Sequence, residues 1–367
     1  MRVHVVVPEG FDDPSQPTGG NIYDRRACAG LAEAGWEVLV ATVAAAWPVP
    51  DSRARADLAR IVSAIPDGDI ALIDGLIASP TAAQLLPHAC RIRMTVLLHM
   101  PLASALDTRH DASAQRSERV VLRAATGVVV TSEWTRQQVL TRYEIPACRV
   151  HVARPGVDQV AAPAQPVRGR LMCVGTLGRH KGQDVLVEAL AELGELDWHC
   201  VLAGPLHRDP DFVDQLQARI SHLGYGHRVR LTGVLTGAVL SHAYTTADLL
   251  VAPSRSETYG MAVTEALAHG VPVIATAVGG LPEALGSNTD GTRPGQLIPS
   301  GDPAALAAAI GDWLGDERHR HRLRAAARKR QSNLRGWEQT TREIANALTA
   351  TGTARLCRPK RTTTTED

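Results

Sequence analysis

The chain alternates short apolar runs with longer amphipathic stretches. Residues 3–7, Val-His-Val-Val-Val, make an apolar run of strand length. Residues 21–34 repeat apolar positions at helical spacing and stop at Gly35, and residues 37–41 are apolar again. The runs at 70–73, 94–98 and 127–131 continue the series. Strand-length runs separated by helical stretches predict a parallel sheet buried on both faces. The pattern then restarts: a strand at 170–174, a helix at 183–193, and strands at 198–203, 229–232, 249–252 and 271–276. Between the two series, residues 155–167 are rich in Pro, Ala and Gly and read as a linker. The expected organisation is a first domain over 1–160 and a second over 168–335. A final helix is patterned over 334–348, and the segment 336–350 is expected to cross back to the first domain as the C-terminal helix. A polar tail over 351–367, ending TTTTED, is expected to be disordered. Doubly wound sheets bind ligands outside the C-terminal ends of their strands, so the cleft between two such domains is the expected site.

Composition narrows the partners. With 367 residues there is room for two ordinary domains, and a net charge of +1 gives no global attraction to nucleic acid or membrane. Of the 39 basic residues only Lys181, Lys329 and Lys360 are lysines. The six cysteines show no CxxC spacing and read as buried free thiols of a reducing compartment. The histidines suggest no metal cluster: His319 and His321 lie in an Arg-rich stretch without partner ligands. The chain opens directly into a strand and has no apolar run near the ~18 residues of a spanning helix, so a cytoplasmic protein without a signal peptide is expected. Residues 318–330 hold six Arg and one Lys; they read as a solvated helix face or as a contact with an anionic acceptor or the inner membrane surface.

The strongest chemical signal lies at 249–276. A strand ends at Pro253, a turn covers 254–260, a helix covers 261–269 and stops at Gly270, and another strand follows. A helix start after a parallel strand exposes free N–H groups and a positive dipole end, which suits a diphosphate. Glu257 precedes that helix and Glu265 lies inside it, about 9 Å along the axis if the helix begins near Tyr259. Carboxylates flanking an anion site make sense as acceptors for hydroxyls, at the sugar end for Glu257 and the ribose end for Glu265. Two glutamates at that spacing would alone be ordinary surface and helix-face residues. The full stretch, P-S-R-S-E-T-Y-G-M-A-V-T-E-A-L-A-H-G-V-P-V-I-A-T, resembles the E-x7-E signature of family 4 retaining glycosyltransferases. The resemblance extends over nearly the whole chain. It implies the α/β GT-B fold, two Rossmann-like domains facing across a cleft. It also implies a nucleoside diphosphate sugar as donor, transfer with retention, and no metal or other cofactor. The acceptor (small molecule, lipid or glycan) is left open.

Other segments support the resemblance. In V-G-T-L-G-R-H-K-G, residues 174–182, similar enzymes carry an Arg directly after the first Gly and a Lys five residues later, both on the donor diphosphate. Lys181 fits, and it is the only lysine in the first 328 residues of a chain that otherwise uses Arg. Thr176 holds the Arg position. Arg179 is the candidate replacement, or a solvated loop charge. In T-G-G-N-I-Y-D, Gly19 and Gly20 let backbone approach the donor; the spacing is not GxGxxG, which disfavours a nicotinamide. In L-L-H-M-P, His99 corresponds to a histidine that positions the donor sugar without being an essential base. Thr258, Tyr259 and Gly260 complete the expected donor-binding turn. The runs T-S-E-W at 131–134 and R-P-G-V-D at 154–158 locate the hinge, and residues 276–283 read as structural. On this reading charge building on the leaving diphosphate is met by Lys181, Arg179 and helix N-termini, while Glu257 and His99 orient the sugar. Two rivals stand beside it. A sugar-nucleotide epimerase would need acid and base groups on both sides of the sugar, which the sequence does not place. A non-catalytic nucleotide-sugar binder is favoured only by Thr176.

Overall fold

The computed structural model describes residues 1–102, 112–160 and 166–352. The first domain holds strands β1 (Arg2–Pro8), β2 (Glu37–Val43), β3 (Ile70–Asp74), β4 (Arg93–Leu98), β5 (Gly127–Val130) and β6 (Val150–Val152). The second holds β7 (Arg170–Val174), β8 (His199–Ala203), β9 (Val229–Gly233), β10 (Leu249–Ala252), β11 (Val273–Thr276) and β12 (Gly295–Ile298). Each domain forms one six-stranded sheet, in the orders β2-β1-β3-β4-β5-β6 and β12-β11-β10-β7-β8-β9. Every pairing is parallel, as the strand–helix alternation requires. These are two doubly wound Rossmann-like domains, the GT-B architecture.

Side-chain alternation explains the layers. Successive residues of a strand point to opposite faces. On β3, Ala71 and Ile73 enter one core while Ile70 and Leu72 enter the other. On β7, Leu171 and Cys173 face one cluster and Met172 the opposite one. Two strands escape the apolar pattern, β6 and β12. Both are edge strands of three or four residues, too short to show a run.

Two crossings join the domains. Val157 N–H donates to the Arg335 carbonyl at 2.9 Å, so the linker and the returning chain run side by side. Gly156 is required there: a Cβ would lie 2.4 Å from the Trp337 nitrogen. The last helix, Trp337–Gly352, then buries Ile344, Ala347 and Leu348 with Val3, Val5 and Leu31 in the first domain's core. The tail from 353, and with it Cys357, lies outside the described residues, as does 161–165 of the linker.

One reading of composition is corrected and another is refined. Cys173 and Cys200 are buried and Cys28 is half-buried, but Cys90 and Cys148 are exposed; both sit in short polar turns beside strands rather than in them. The Arg-rich stretch is the helix Glu317–Gln331, and much of it faces inward. Arg320 is buried and donates to the carbonyls of Trp313 and Leu314, Arg324 pairs with the fully buried Asp248, and Lys329 pairs with Asp290. Arg318, Arg322, Arg328 and Lys329 stay exposed, so the helix has the solvated face expected on one side while Arg320 and Arg324 turn inward. Among the described residues no helix is long and apolar enough to cross a membrane.

Candidate active site

The C-terminal ends of both sheets open onto one cleft, a cavity of about 410 Å³ lined from both domains. Two helix starts point into it. The helix Gly19–Glu33 follows β1, with Thr18 as N-cap accepting from Asn21 N–H. It begins two residues before the predicted start, so Gly19 and Gly20 form its first turn. A Cβ on Gly20 would make an ordinary 3.4 Å contact with the His99 ring, and one on Gly19 a 3.5 Å contact with the Met261 sulfur, so both glycines stand next to cleft residues. The helix Met261–Ala268 follows β10, and its N-cap, Gly260, has φ +108° and offers no side-chain cap. Its first N–H groups remain free for an anion. The helix starts at Met261 as expected, so Glu265 stands about 6 Å along its axis and not the ~9 Å of a start near Tyr259.

Lys181 and Glu257 meet in the cleft. Lys181 Nζ lies 2.5 Å from Glu257 Oε2, both side chains largely shielded from solvent. Thr258, Tyr259 and Gly260 line the cavity beside them. The loop is held from behind: Gly280 N–H donates to the Glu257 carbonyl at 3.0 Å. A Cβ on Gly279, at φ +56°, would approach that same carbonyl oxygen to 1.7 Å. The structural segment 276–283 thus acts as the backing of the Glu257 loop. Ser132 Oγ reaches across from the first domain to the Thr258 carbonyl at 2.6 Å.

Glu265 also lines the cavity and accepts from the Tyr244 hydroxyl at 2.8 Å. Burial raises its carboxyl to about 7, against the lowering effect of that hydrogen bond. His180 lines the cleft as a neutral ring: burial and then the Lys181 charge lower it to about 4.

Arg179 is not brought to the site. Its side chain is exposed, donates to Gln215 at 3.1 Å and does not line the cavity. The short 3-10 turn Arg179–Lys181 aims the two ends of the segment in different directions, so Lys181 enters the cleft and Arg179 leaves it. Thr176 does line the cavity. The replacement charge expected from Arg179 is therefore missing from this geometry.

Around His99 the structure adds two residues to which the sequence assigned no role. His99 follows β4, Asp74 ends β3 and Asp24 lies on the helix Gly19–Glu33. His99 Nε2 is 2.8 Å from Asp24 and 4.0 Å from Asp74. Burial alone would lower the imidazole, but the Asp24 charge and hydrogen bond, with Asp74, raise it to about 9. Burial and the nearby Asp24 charge push the Asp74 carboxyl well above the usual range. These three side chains place donor atoms within 4.8 Å of one another, a grouping of cation-ligand type that spacing could not reveal because three elements contribute it. His99 Nε2 is bonded to Asp24 Oδ1, and Asp74 Oδ1 accepts from Leu76 N–H, while Asp24 Oδ2 has no partner among the described residues. A polar residue at the C-terminal end of a buried parallel strand was the signal that could have found Asp74.

Residues 17–160 match the family profile described as Glycosyltransferase Family 4, and residues 165–330 match Glycosyl transferases group 1. D-inositol 3-phosphate glycosyltransferase 1 of Catenulispora acidiphila is 33% identical over 244 residues, 60% of this chain and 56% of that protein. A D-inositol 3-phosphate glycosyltransferase of Thermomonospora curvata is 31% identical over 268 residues, 66% of this chain and 61% of that protein. The matched segment thus spans only a little over half the length of these relatives. Among solved structures, sucrose-phosphate synthase from Thermosynechococcus elongatus superposes with a TM-score of 0.77 at 23% identity, covering 94% of this chain and 98% of that one. Anabaena HepE in complex with UDP-glucose gives 0.73 at 18% identity, covering 95% and 100%. These structural likenesses establish the fold.

Proposed function

We propose that this chain, homologous to glycosyltransferases through both of its domains, moves a sugar from a nucleoside diphosphate sugar to a hydroxyl acceptor. We infer transfer with retention at the anomeric carbon and without a metal. One observation carries the reading: Lys181 and the uncapped start of the helix Met261–Ala268 share one cleft with Glu257 and Glu265. A diphosphate against the lysine and the helix start would have its negative charge met by an ammonium and by oriented N–H groups. Glu257 would accept from sugar hydroxyls and Glu265 from ribose hydroxyls. The relatives' names support glycosyl transfer, and the UDP-glucose complex of HepE supports a nucleotide sugar as donor.

The steps follow from these placements. Breaking the anomeric bond shifts an electron pair onto the diphosphate oxygen, where Lys181 and the helix dipole stabilise it. The acceptor hydroxyl attacks from the face the diphosphate leaves, and its proton passes to that departing oxygen. His99 would hold the sugar in place. Contacts such as Ser132 to Thr258 hold the domains together and limit access of water to the bond being broken.

A second reading, a nucleotide-sugar binder without turnover, draws on one specific observation: Thr176 replaces the arginine and Arg179 turns away to Gln215. One experiment separates the two. Thermal-shift screening against UDP-, GDP-, ADP- and TDP-sugars identifies the donor, and NMR follows donor consumption and the anomeric configuration of the product, with and without EDTA. Turnover with a retained configuration, EDTA-resistant and lost in Glu257→Ala, is expected. Binding of a donor that is never consumed sinks the catalytic reading. An inverted product or EDTA-sensitive turnover overturns the retaining or metal-free part.

A further inference from the structure

Among the described residues no arginine lines the cleft, yet a second basic side chain faces it beside Lys181. His99 comes from the opposite domain to Lys181 and keeps 17% of its side chain exposed, while Asp24 and Asp74 behind it are 1% and 3% exposed. Its ring is fixed on several sides. Tyr23 meets it edge-on with centroids 5.2 Å apart, and a Cβ on Gly20 would come within 3.4 Å of it. Nε2 is bonded to Asp24 Oδ1, and the other oxygen, Asp24 Oδ2, is buried with no partner among the described residues. A buried carboxylate oxygen without a donor is costly, so a partner is expected.

Asp74 supplies it. Two carboxylates so close in a buried site cannot both stay charged. A proton on Asp74 removes that repulsion and makes its hydroxyl a donor for Asp24 Oδ2. Asp24 then has one donor on each oxygen, the Asp74 hydroxyl and the His99 ring. We propose that Asp24 is a positioning residue that fixes the His99 ring and keeps it cationic, so that an imidazolium backed by a buried carboxylate faces the donor across from Lys181. The trio carries no net charge, but its positive end lies at the cleft and its negative end lies in the protein. This arrangement offers the diphosphate sugar a second positive group in a site where Thr176 and Arg179 do not. The other charged or titratable groups lining the cleft with the ring are Tyr23 on the same helix as Asp24, and His180, Lys181, Glu257, Tyr259 and Glu265 across the cleft. Arg335 and Glu343, paired with each other, lie beyond Tyr23.

The role of the cation in donor binding rests on the proposed function, whereas its existence does not, and the test separates them. Histidine-labelled protein is followed by 15N NMR from pH 5 to 10, with His99 assigned by loss of its signals in His99→Gln. The wild-type ring is expected to be cationic at pH 7.5 and to titrate near 9. Asp24→Asn should lower that midpoint by at least about two pH units, since burial then acts almost alone. Asp74→Asn should move it by less than about one unit, because an amide donates to Asp24 as the protonated acid does. If Asp24→Asn does not fold, the wild-type titration and Asp74→Asn still decide. A neutral wild-type ring at pH 7.5, an unmoved midpoint in Asp24→Asn, or equal shifts in both variants overturns the proposal. So does displacement of the ring proton by added Zn²⁺ or Mn²⁺ at neutral pH. UDP titrated calorimetrically at pH 7.5 reads the functional half: affinity should fall roughly three- to tenfold in Asp24→Asn, about what one charge-assisted contact is worth. Unchanged UDP affinity with a shifted midpoint removes the donor role, and absence of UDP binding to the wild type counts against the UDP-sugar donor itself.

Discussion

Lys181 Nζ stands 2.5 Å from Glu257 Oε2, a contact made between residues 76 positions apart in sequence. The ammonium suits a phosphate and the carboxylate suits a hydroxyl, so a nucleotide sugar bound here would exchange their mutual contact for one partner each. Lys181→Ala is expected to weaken UDP and UDP-sugar alike and to lower turnover by about 100-fold, as loss of a charge aimed at a leaving group does. Glu257→Gln should weaken the sugar-bearing donor and leave UDP nearly unaffected. Equal losses for UDP and its sugar in Glu257→Gln would contradict this division. Calorimetry with both ligands checks it.

Glu265 gives donor binding a pH dependence. Its carboxyl is raised to about 7 by burial, so below neutrality it is protonated and a poorer acceptor for ribose hydroxyls. Donor affinity is expected to rise from pH 6 to pH 8, and Glu265→Gln should flatten that rise. The sign for stability is the reverse. A folded pKa above the unfolded value means the native state binds the proton more tightly. This contribution is complete below the ordinary glutamate range and is lost as pH climbs through about 7. Urea midpoints of wild type and Glu265→Gln across this range measure it.

His99 obeys the same rule at higher pH. Its ring is raised to about 9, so its contribution to stability is complete below the ordinary histidine range and disappears as pH rises through 9. A wild-type melting temperature that drops between pH 7 and 10, more than that of His99→Gln, is the expected outcome of differential scanning calorimetry.

Glu283 joins the domains. One carboxylate oxygen accepts from Glu133 N–H at 2.9 Å and the other pairs with Arg154 at the hinge. Glu283→Ala should open the cleft, seen as a larger radius of gyration in solution scattering. It should raise the donor KM several-fold, because the Glu257 loop loses support from the first domain. An unchanged radius and KM would show that the remaining contacts, Ser132 to Thr258 among them, suffice.

Asp248 is the structural anchor of the second domain. It is fully buried, accepts from Gly169 N–H at 3.0 Å and Trp313 Nε1 at 3.2 Å, and pairs with Arg324. Asp248→Ala leaves a guanidinium and two N–H groups without their acceptor, and should cost about 3–5 kcal/mol. Denaturant unfolding gives the value directly, with little change expected in donor affinity for the protein that remains folded.

The linear sequence determined the architecture because burial is periodic along strands and helices. The apolar runs at 3–7, 70–73 and 170–174 became central parallel strands, since a strand covered on both faces must be apolar throughout. It also suggested the neighbourhood of Glu257, Glu265 and Lys181, because Glu257 and Lys181 lie in segments that follow central strands and Glu265 lies on the helix that one of those segments opens. Side-chain direction and partnership belonged to the tertiary structure. Only the fold could turn Arg179 to Gln215 while its neighbour Lys181 enters the cleft. Only the fold could draw the Arg-rich helix inward, where Arg324 found Asp248, or set Asp24 and Asp74 against His99 from three separate elements. Such contacts depend on distance in space and on the dielectric around a group, and neither is encoded in spacing along the chain.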